Sequence, residues 1–322
     1  MTSTLPPDIQ SIFDRFITTE YTTVDRTGQP ITWPVTPYHD PRQGCIDITT
    51  GLGYPKKARD AQRNPKVSLL FSDPTGSGLD HPAAVLVQGI ATVDERDLAA
   101  NRDRYRKESV AKLPATRDLY PPEFVQRFFD WYFVRVYVHV RPERVFVWPE
   151  GDFTNEPQLL DSHLEEVRSH HSEEPEVAPT GPDRTTATWD ARMSELGSRF
   201  PTAALSLVGP DGFPISGRAP IRVDHQRRVV RVLQAPTGVP LIEGRACLTA
   251  HAHDPQFRWQ TNFQVRGNLV QGDDGWLIEP HRLVGGFELP PGGAVVRWRA
   301  NARKVPRFRR IAKREMRSMR AN

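Results

Sequence analysis

One pattern occurs twice in this chain, and it narrows the folds open to it. Gly28-Gln29-Pro30-Ile31 matches Gly212-Phe213-Pro214-Ile215 at an offset of 184, and Asp73-Pro74 matches Asp254-Pro255 at 181. Gly89 in VLVQG matches Gly267 in FQVRG at 178, and Arg141-Pro142-Glu143-Arg144-Val145 resembles Glu279-Pro280-His281-Arg282-Leu283 at 138. The first three offsets shrink in small steps, as when loops shed residues. The drop to the fourth places a helical insertion in the first half alone. Four matches in one order indicate a duplicated domain; the alternative is two unrelated β-rich domains that share common turn residues. A chain of 322 residues is long enough for two domains.

The repeated unit reads as short strands punctuated by turns. Ile9 to Thr19 predicts a helix with Ile9, Ile12, Phe13 and Phe16 on one face. YTTVDRTGQPITWPVTPY reads as strand–turn–strand, GCIDITTG as a strand end, YPKKARDAQRNP as a polar loop and helix, and KVSLLFSDP and AVLVQGIATV as strands. Gly89 in the last of these marks a bulge or a close backbone approach. Glu95 to about Asp130 is charged and helical, and WYFVRVYVHVRPERVFVW reads as a strand pair. Asn155 to Ser172 predicts a helix around Leu159, Leu160, Leu164 and Val167, Glu173 to Thr188 a linker, and Trp189 to Arg199 a helix mirroring the first. The expected fold class is mainly β with peripheral helices, as barrels or sandwiches. Residues 1–154 and 189–296 are the two units, 155–188 lies between them, and 297–322 is a basic tail.

Charge is concentrated at one end. Arg297 to Arg320 holds eleven Arg or Lys and one acid, Glu315, so this segment carries +10 while the whole chain carries +4, leaving the rest at −6. A high isoelectric point that belongs to a tail gives no reason to expect specific nucleic-acid binding. Phe308, Ile311, Ala312, Met316 and Met319 follow helical spacing there, so the tail reads as a basic amphipathic helix able to lie on an anionic membrane or dock on the acidic body. No apolar run reaches the roughly 20 residues of a membrane span, and no signal peptide is visible, so a cytoplasmic location is expected, with membrane contact through the tail as a variant.

Metal and nucleophile patterns are sparse. Cys45 and Cys247 read as small buried hydrophobes, and no zinc or iron–sulfur ligand set is expected. His251 and His253 share one strand face but lack a visible third ligand, which predicts surface or interface histidines. His163, His170 and His171 sit among acids, as on a solvated helix. Gly285-Gly286 and Gly292-Gly293 read as turns or bulges.

Residues 28–93 carry a sharper signal. Pro55-Lys56-Lys57-Ala58-Arg59 sets three cations at the start of a helix, where unpaired N–H groups and the dipole already favour an anion, so the placement asks for a phosphate; the alternative is a solvated charged loop. Through GQPITWPVTPY, IDITTG, PKKARDAQRNPKVSLLFSDP and VLVQGIATV, in that order, the segment resembles the FMN-binding split-barrel superfamily. That group includes pyridoxamine-phosphate oxidases, flavin reductases, deazaflavin (coenzyme F-420) reductases and haem-utilisation proteins. The resemblance implies two tandem split β-barrels forming an intrachain pseudo-dimer. It also implies a flavin- or deazaflavin-dependent oxidoreductase acting on a small organic substrate, with coenzyme F-420 or FMN as cofactor and haem as an alternative. The other readings are a carrier that binds flavin, deazaflavin, haem or a linear tetrapyrrole without turnover, a haem-handling split-barrel protein, and a degenerate barrel pair acting as an interaction module with the basic tail as its contact.

The resemblance assigns residues as well. Lys57 matches the family's phosphate-binding lysine, with Lys56 and Arg59 assisting and Thr49 and Thr50 bonding the phosphate or ribityl chain. Trp33, Pro34, Val35 and Thr36 lie on the strand that runs beside the isoalloxazine ring, or, for Trp33 and Val35, are simply barrel core. The second half reads APTGVPLIEGRA, with Leu241 or Gly238 opposite Lys57, and lacks the basic loop. One intact site is therefore implied, with Arg266, Trp259 and Trp298 as candidates for its far wall. The basic tail could contact the acidic extension of a deazaflavin coenzyme. No catalytic residue is assigned, and the assembly is either a monomeric pseudo-dimer or a homodimer.

Overall fold

The computed structural model describes residues 5–119, 129–160, 189, 191–286, 289–291 and 304–321. The first half runs α1 (Pro7–Arg15), β1 (Thr19–Val24), β2 (Pro30–Val35), β3 (Tyr38–Asp40), β4 (Cys45–Gly51), α2 (Lys56–Arg63), β5 (Lys66–Phe71), β6 (Ala84–Asp94), α3 (Leu98–Lys112), the short turn α4 (Asp130–Phe133), β7 (Arg135–Trp148) and β8 (Gln158–Leu160). The second runs α5 (Ala191–Arg199), β9 (Thr202–Val208), β10 (Pro214–Asp224), β11 (Val229–Val232), β12 (Gly244–His253), β13 (Gln260–Gly272) and β14 (Gly275–Gly285), followed by α6 (Val305–Ala321).

The duplication is visible in the pairing. The first sheet has the order β2-β1-β5-β6-β7-β4-β3, and the second is a closed barrel, β10-β11-β14-β13-β12-β9. Replacing each strand by its repeat turns one order into the other. The hairpins repeat to the hydrogen bond: Asp25 N donates to Gln29 O at 3.0 Å and Gly209 N to Phe213 O at 2.8 Å. Gly28 and Gly212 take the left-handed conformation these turns require, at φ 74° and 78°. The register also slips at the same place in each half, between Gln88 and Gly89 and between Arg266 and Gly267, leaving Glu143 and His281 as the extra bulge residues.

The halves differ where a proline interrupts the ring. β10 is continuous and pairs with β9 over its first part and with β11 over its last, which closes the barrel. Its counterpart is broken into β2 and β3 around Pro37, β2 pairing with β1 and β3 with β4. Inside the first barrel Ile46, Ile48, Val136, Val138 and Val140 meet Ile9, Ile12 and Phe13 of α1. Alternation then turns Asp47, Thr49, Tyr137 and His139 outward, beneath α3.

The two halves pack about a pseudo-twofold axis marked by four buried hydroxyls. Thr22 and Thr32 of β1 and β2 pair at 3.0 Å, and their repeats Ser206 and Ser216 pair at 2.8 Å. Thr32 Oγ1 reaches Ser206 Oγ at 2.7 Å across the interface.

Two sequence expectations are corrected and a third is narrowed to one of its alternatives. Gln158–Leu160 is a strand, not part of a helix, because β4 pairs only the first part of β7 and Val145–Val147 would otherwise show an open edge; β8 fills it and extends the first unit past residue 154. The expected strand pair is one 14-residue strand, β7, with Pro142 tolerated at its bulge, while Trp131 to Phe133 form a helical turn. The tail is helical as expected, but its apolar face lies on the first barrel: Ala312 is buried, and Phe308, Met316 and Met319 pack on that core. That face is therefore covered and not presented to a lipid surface. No helix among the described residues is long and apolar enough to cross a membrane. The linker, Trp298, the histidines at 163, 170 and 171, and Gly292-Gly293 lie outside the described residues.

Candidate anion site on the first barrel

Helix α2 opens directly after the Gly51-Leu52-Gly53 turn, and its first residues bring the three expected cations together. Two of the three already have carboxylates. Lys56 pairs with Asp60 at 3.0 Å and Asp25 at 3.3 Å. Arg59 pairs with Glu95 at 2.9 Å and with Glu315 of α6 at 2.6 Å. Asp25, Glu95 and Glu315 come from a hairpin, a loop and the tail, so local sequence could not show that they neutralise this helix start.

Lys57 is different. Its ammonium lies 5.5 Å from the centre of the Tyr54 ring and has no carboxylate or hydrogen-bond partner among the described residues. Burial, and then the neighbouring Arg135, push its pKa down to about 8. Arg135, at the start of β7, is 5 % exposed. Its guanidinium lies over Tyr105 at 4.1 Å and Tyr132 at 4.4 Å and donates to Tyr105 Oη at 2.9 Å. Its Nε is buried with no hydrogen-bond partner. Two cations thus sit together against aromatic faces without an acid paired to either, which leaves a strong positive potential in a poorly hydrated place.

Aromatic packing closes the outer side. Phe308 of α6 stacks on Trp131 at 5.1 Å and meets the Tyr54 edge at 5.5 Å. Gly53 makes that approach possible, since a Cβ there would lie 3.0 Å from Phe308 Cβ. Thr50 donates to Tyr54 O at 2.9 Å and so fixes this loop, while Thr49 is half-buried on the outer face across from Tyr137.

The strand expected beside a cofactor ring divides by parity. Val35 points into the first barrel and is core, with Trp33 packed against it. Pro34 faces the second half, paired in register with Glu20, and Thr36 lies in the break before β3. The Thr32 carbonyl on this strand accepts from Thr249 Oγ1 at 3.0 Å and from Gln264 Nε2, both of the second half. Arg266, 8 % exposed, donates to Gln264 Oε1 at 3.1 and 3.0 Å. Trp259 lies away from these contacts, with Arg199 6.0 Å from its ring. The segment opposite α2 forms no helix: Gly238 packs against Pro157 at φ 80°, and the cationic cluster is not repeated.

The two strand histidines belong to the interface. His251 Nε2 bonds Glu20 at 2.8 Å, and His253 Nε2 lies 3.1 Å from Thr18 Oγ1. Glu20 also accepts from Arg218 and from Ser72 Oγ at 2.7 Å. Burial alone would raise the Glu20 pKa, but Arg218 and His251 hold it below the ordinary carboxylate value.

Sequence reading missed Arg135, Tyr105 and Tyr132. The available signal was a lone cation inside the apolar run YFVRVYVHV, because a charge amid alternating core residues must face something specific.

Neither a family model nor a curated protein matches the sequence. Solved structures similar to it include a candidate pyridoxamine 5'-phosphate oxidase from Listeria innocua (19% identity, 43% of this chain and 94% of that one, TM-score 0.31). Others are an F-420 reductase (20%, 44% and 98%, 0.33) and the haem-storage protein HutZ of Vibrio cholerae (17%, 44% and 94%, 0.32). At such identities the likeness is one of fold, and each covers less than half of this chain.

Proposed function

We propose that this chain is a flavin- or deazaflavin-dependent oxidoreductase acting on a small organic substrate, with the cofactor phosphate held by Lys57 and Arg135. The observation that carries this reading is the pair of cations without an acid, Lys57 half-buried and Arg135 buried with an orphaned Nε. A phosphate satisfies both charges and accepts the missing hydrogen bond, whereas without an anion each cation sits where it is poorly solvated. The position of Lys57 in the segment that resembles the FMN-binding split barrels supports the same assignment. When bound, the ring of such a cofactor supplies the hydride or electron chemistry. The chain's own residues anchor and shield: Lys57 and Arg135 grip, Tyr54 and Tyr132 exclude water, and α6 covers the outer side. Arg307, Arg310, Lys313, Arg314 and Arg317 on the outer face of α6 favour a cofactor with an acidic extension, hence the deazaflavin over FMN.

The test is a spectroscopic titration of the full chain with FMN, deazaflavin coenzyme and haem in turn. Saturable binding of one flavin or deazaflavin per chain is expected, weakened about 10- to 100-fold by Lys57→Met and by Arg135→Met, the range set by one charge-assisted hydrogen bond. Binding that ignores both substitutions, or binding of haem alone, overturns the assignment.

A further inference from the structure

A second cluster lies on the outer face of the first barrel, outside the Lys57–Arg135 pair. Asp47 of β4 and His139 of β7 stand directly opposite in register, and Cys45 precedes Asp47 by two residues and so shares its face. Both neighbours point a proton at one atom. Cys45 Sγ lies 3.3 Å from Asp47 Oδ1, and His139 Nδ1 lies 2.7 Å from the same oxygen. The three ligand atoms all fall within 4.8 Å of one another.

We infer that Cys45, Asp47 and His139 form a three-ligand site for a borderline-soft divalent cation such as zinc, with solvent as the fourth ligand. Zinc bonds of about 2.3 Å to sulfur and 2.0–2.2 Å to nitrogen and oxygen, at tetrahedral angles, separate neighbouring ligand atoms by roughly 3.3–3.6 Å. The Cys45–Asp47 distance is already in that range. The His139–Asp47 distance must open by roughly half an ångström or a little more, which a small rotation of the half-buried imidazole provides.

Binding the cation displaces the two protons that face Asp47 Oδ1, one from the Cys45 thiol and one from His139 Nδ1, leaving a carboxylate, a thiolate and a neutral imidazole around M²⁺. Arg104 holds the other carboxylate oxygen, Oδ2, and is itself tied to Glu108 at 2.7 Å, while Tyr137 Oη donates to Glu108 at 2.7 Å. Such an outer layer of hydrogen bonds orients ligands in metal sites. His139, with its side chain 23 % exposed, gives access from solvent, and thiolate with imidazole favours zinc or cobalt over magnesium or calcium.

The experiment is a Co²⁺ titration of the full-length reduced protein. One equivalent should bring up a thiolate-to-cobalt absorption in the near ultraviolet with intense visible bands of tetrahedral cobalt, all displaced by Zn²⁺. Cys45→Ser should abolish the ultraviolet band, and Cys247→Ser should leave it, because that second thiol is buried beside Thr249 in the second barrel. His139→Ala, at a partly exposed position, keeps the thiol in place and should weaken cobalt at least tenfold. Absence of a thiolate band in the wild-type protein overturns the site, as does a band that survives Cys45→Ser or an affinity unmoved by His139→Ala.

Discussion

The two barrels share one plan and differ in what they do with their outer faces. In the first, the ring is broken at Pro37, β4 leads into a helix rich in cations, and α3, α4 and α6 cover the outside. In the second, β10 runs through, the barrel closes, and the segment opposite α2 is a turn against Pro157. Four hydroxyls on the axis keep the original symmetry. Two residues further along, the equivalent positions have diverged: Glu20 faces Arg218, while their repeats are Ala204 and Pro34. Symmetry survives where packing is shared by both halves and disappears where a contact is made only once, as between Glu20 and Arg218.

The largest expected effect tests that divergence. Arg218→Leu leaves Glu20 buried without its guanidinium partner, held only by His251 and Ser72, and should cost up to about 3–5 kcal/mol of unfolding free energy in denaturant titration. Because the folded Glu20 pKa is depressed, the contribution of the pair is full above the unfolded value near 4.5 and fades as pH falls through the folded one. A loss below about 1 kcal/mol would mean that the interface does not depend on this pair.

The next comparison sets the bulges against each other. A Cβ on Gly89 would lie 2.4 Å from Arg141 O, and on Gly267 2.5 Å from Glu279 O. Gly89→Ala and Gly267→Ala should each cost about 1–3 kcal/mol and agree closely if the bulges do equivalent work. A cost at only one of them would show that one half tolerates a shifted register.

The hydroxyl cluster should respond more weakly. Thr32→Val and Ser206→Ala should each lose about 1 kcal/mol, with the double variant losing less than the sum because the two share a hydrogen bond. Additive losses would indicate that the four hydroxyls act independently.

The smallest effect has the opposite sign. Lys57 binds fewer protons folded than unfolded between its lowered value of about 8 and the ordinary lysine value near 10.5, so unliganded stability should rise with pH across that window. Lys57→Met should therefore stabilise the unliganded protein slightly, by about 1 kcal/mol or less given partial solvent screening, and flatten the pH dependence. Anion affinity of the wild type should fall as pH rises past about 8. A destabilised Lys57→Met protein would make Lys57 a structural residue.

The duplication was legible because it is written in turns. Gly-x-Pro hairpins and bulge glycines are local requirements, and a positive φ or a 2.4 Å approach to backbone selects glycine whatever the rest of the fold does. The amphipathic tail was legible for a similar reason, since its apolar spacing is local. The cation start of α2 was also readable, but its meaning was not: Lys56 and Arg59 are neutralised by Asp25, Glu95 and Glu315, which only the fold brings near. Arg135 escaped notice because its tyrosine partners come from α3 and α4.

By itself, then, the sequence determined the repeat, its β character, the asymmetry of the basic loop and the helical tail, because period-2 alternation, turn chemistry and helical spacing each act over a few residues. Tertiary structure alone decided which cations remain without an acid, where the tail lies, and that Cys45 meets a histidine 94 positions later, because pairing across strands and helices depends on register and packing that no short segment encodes.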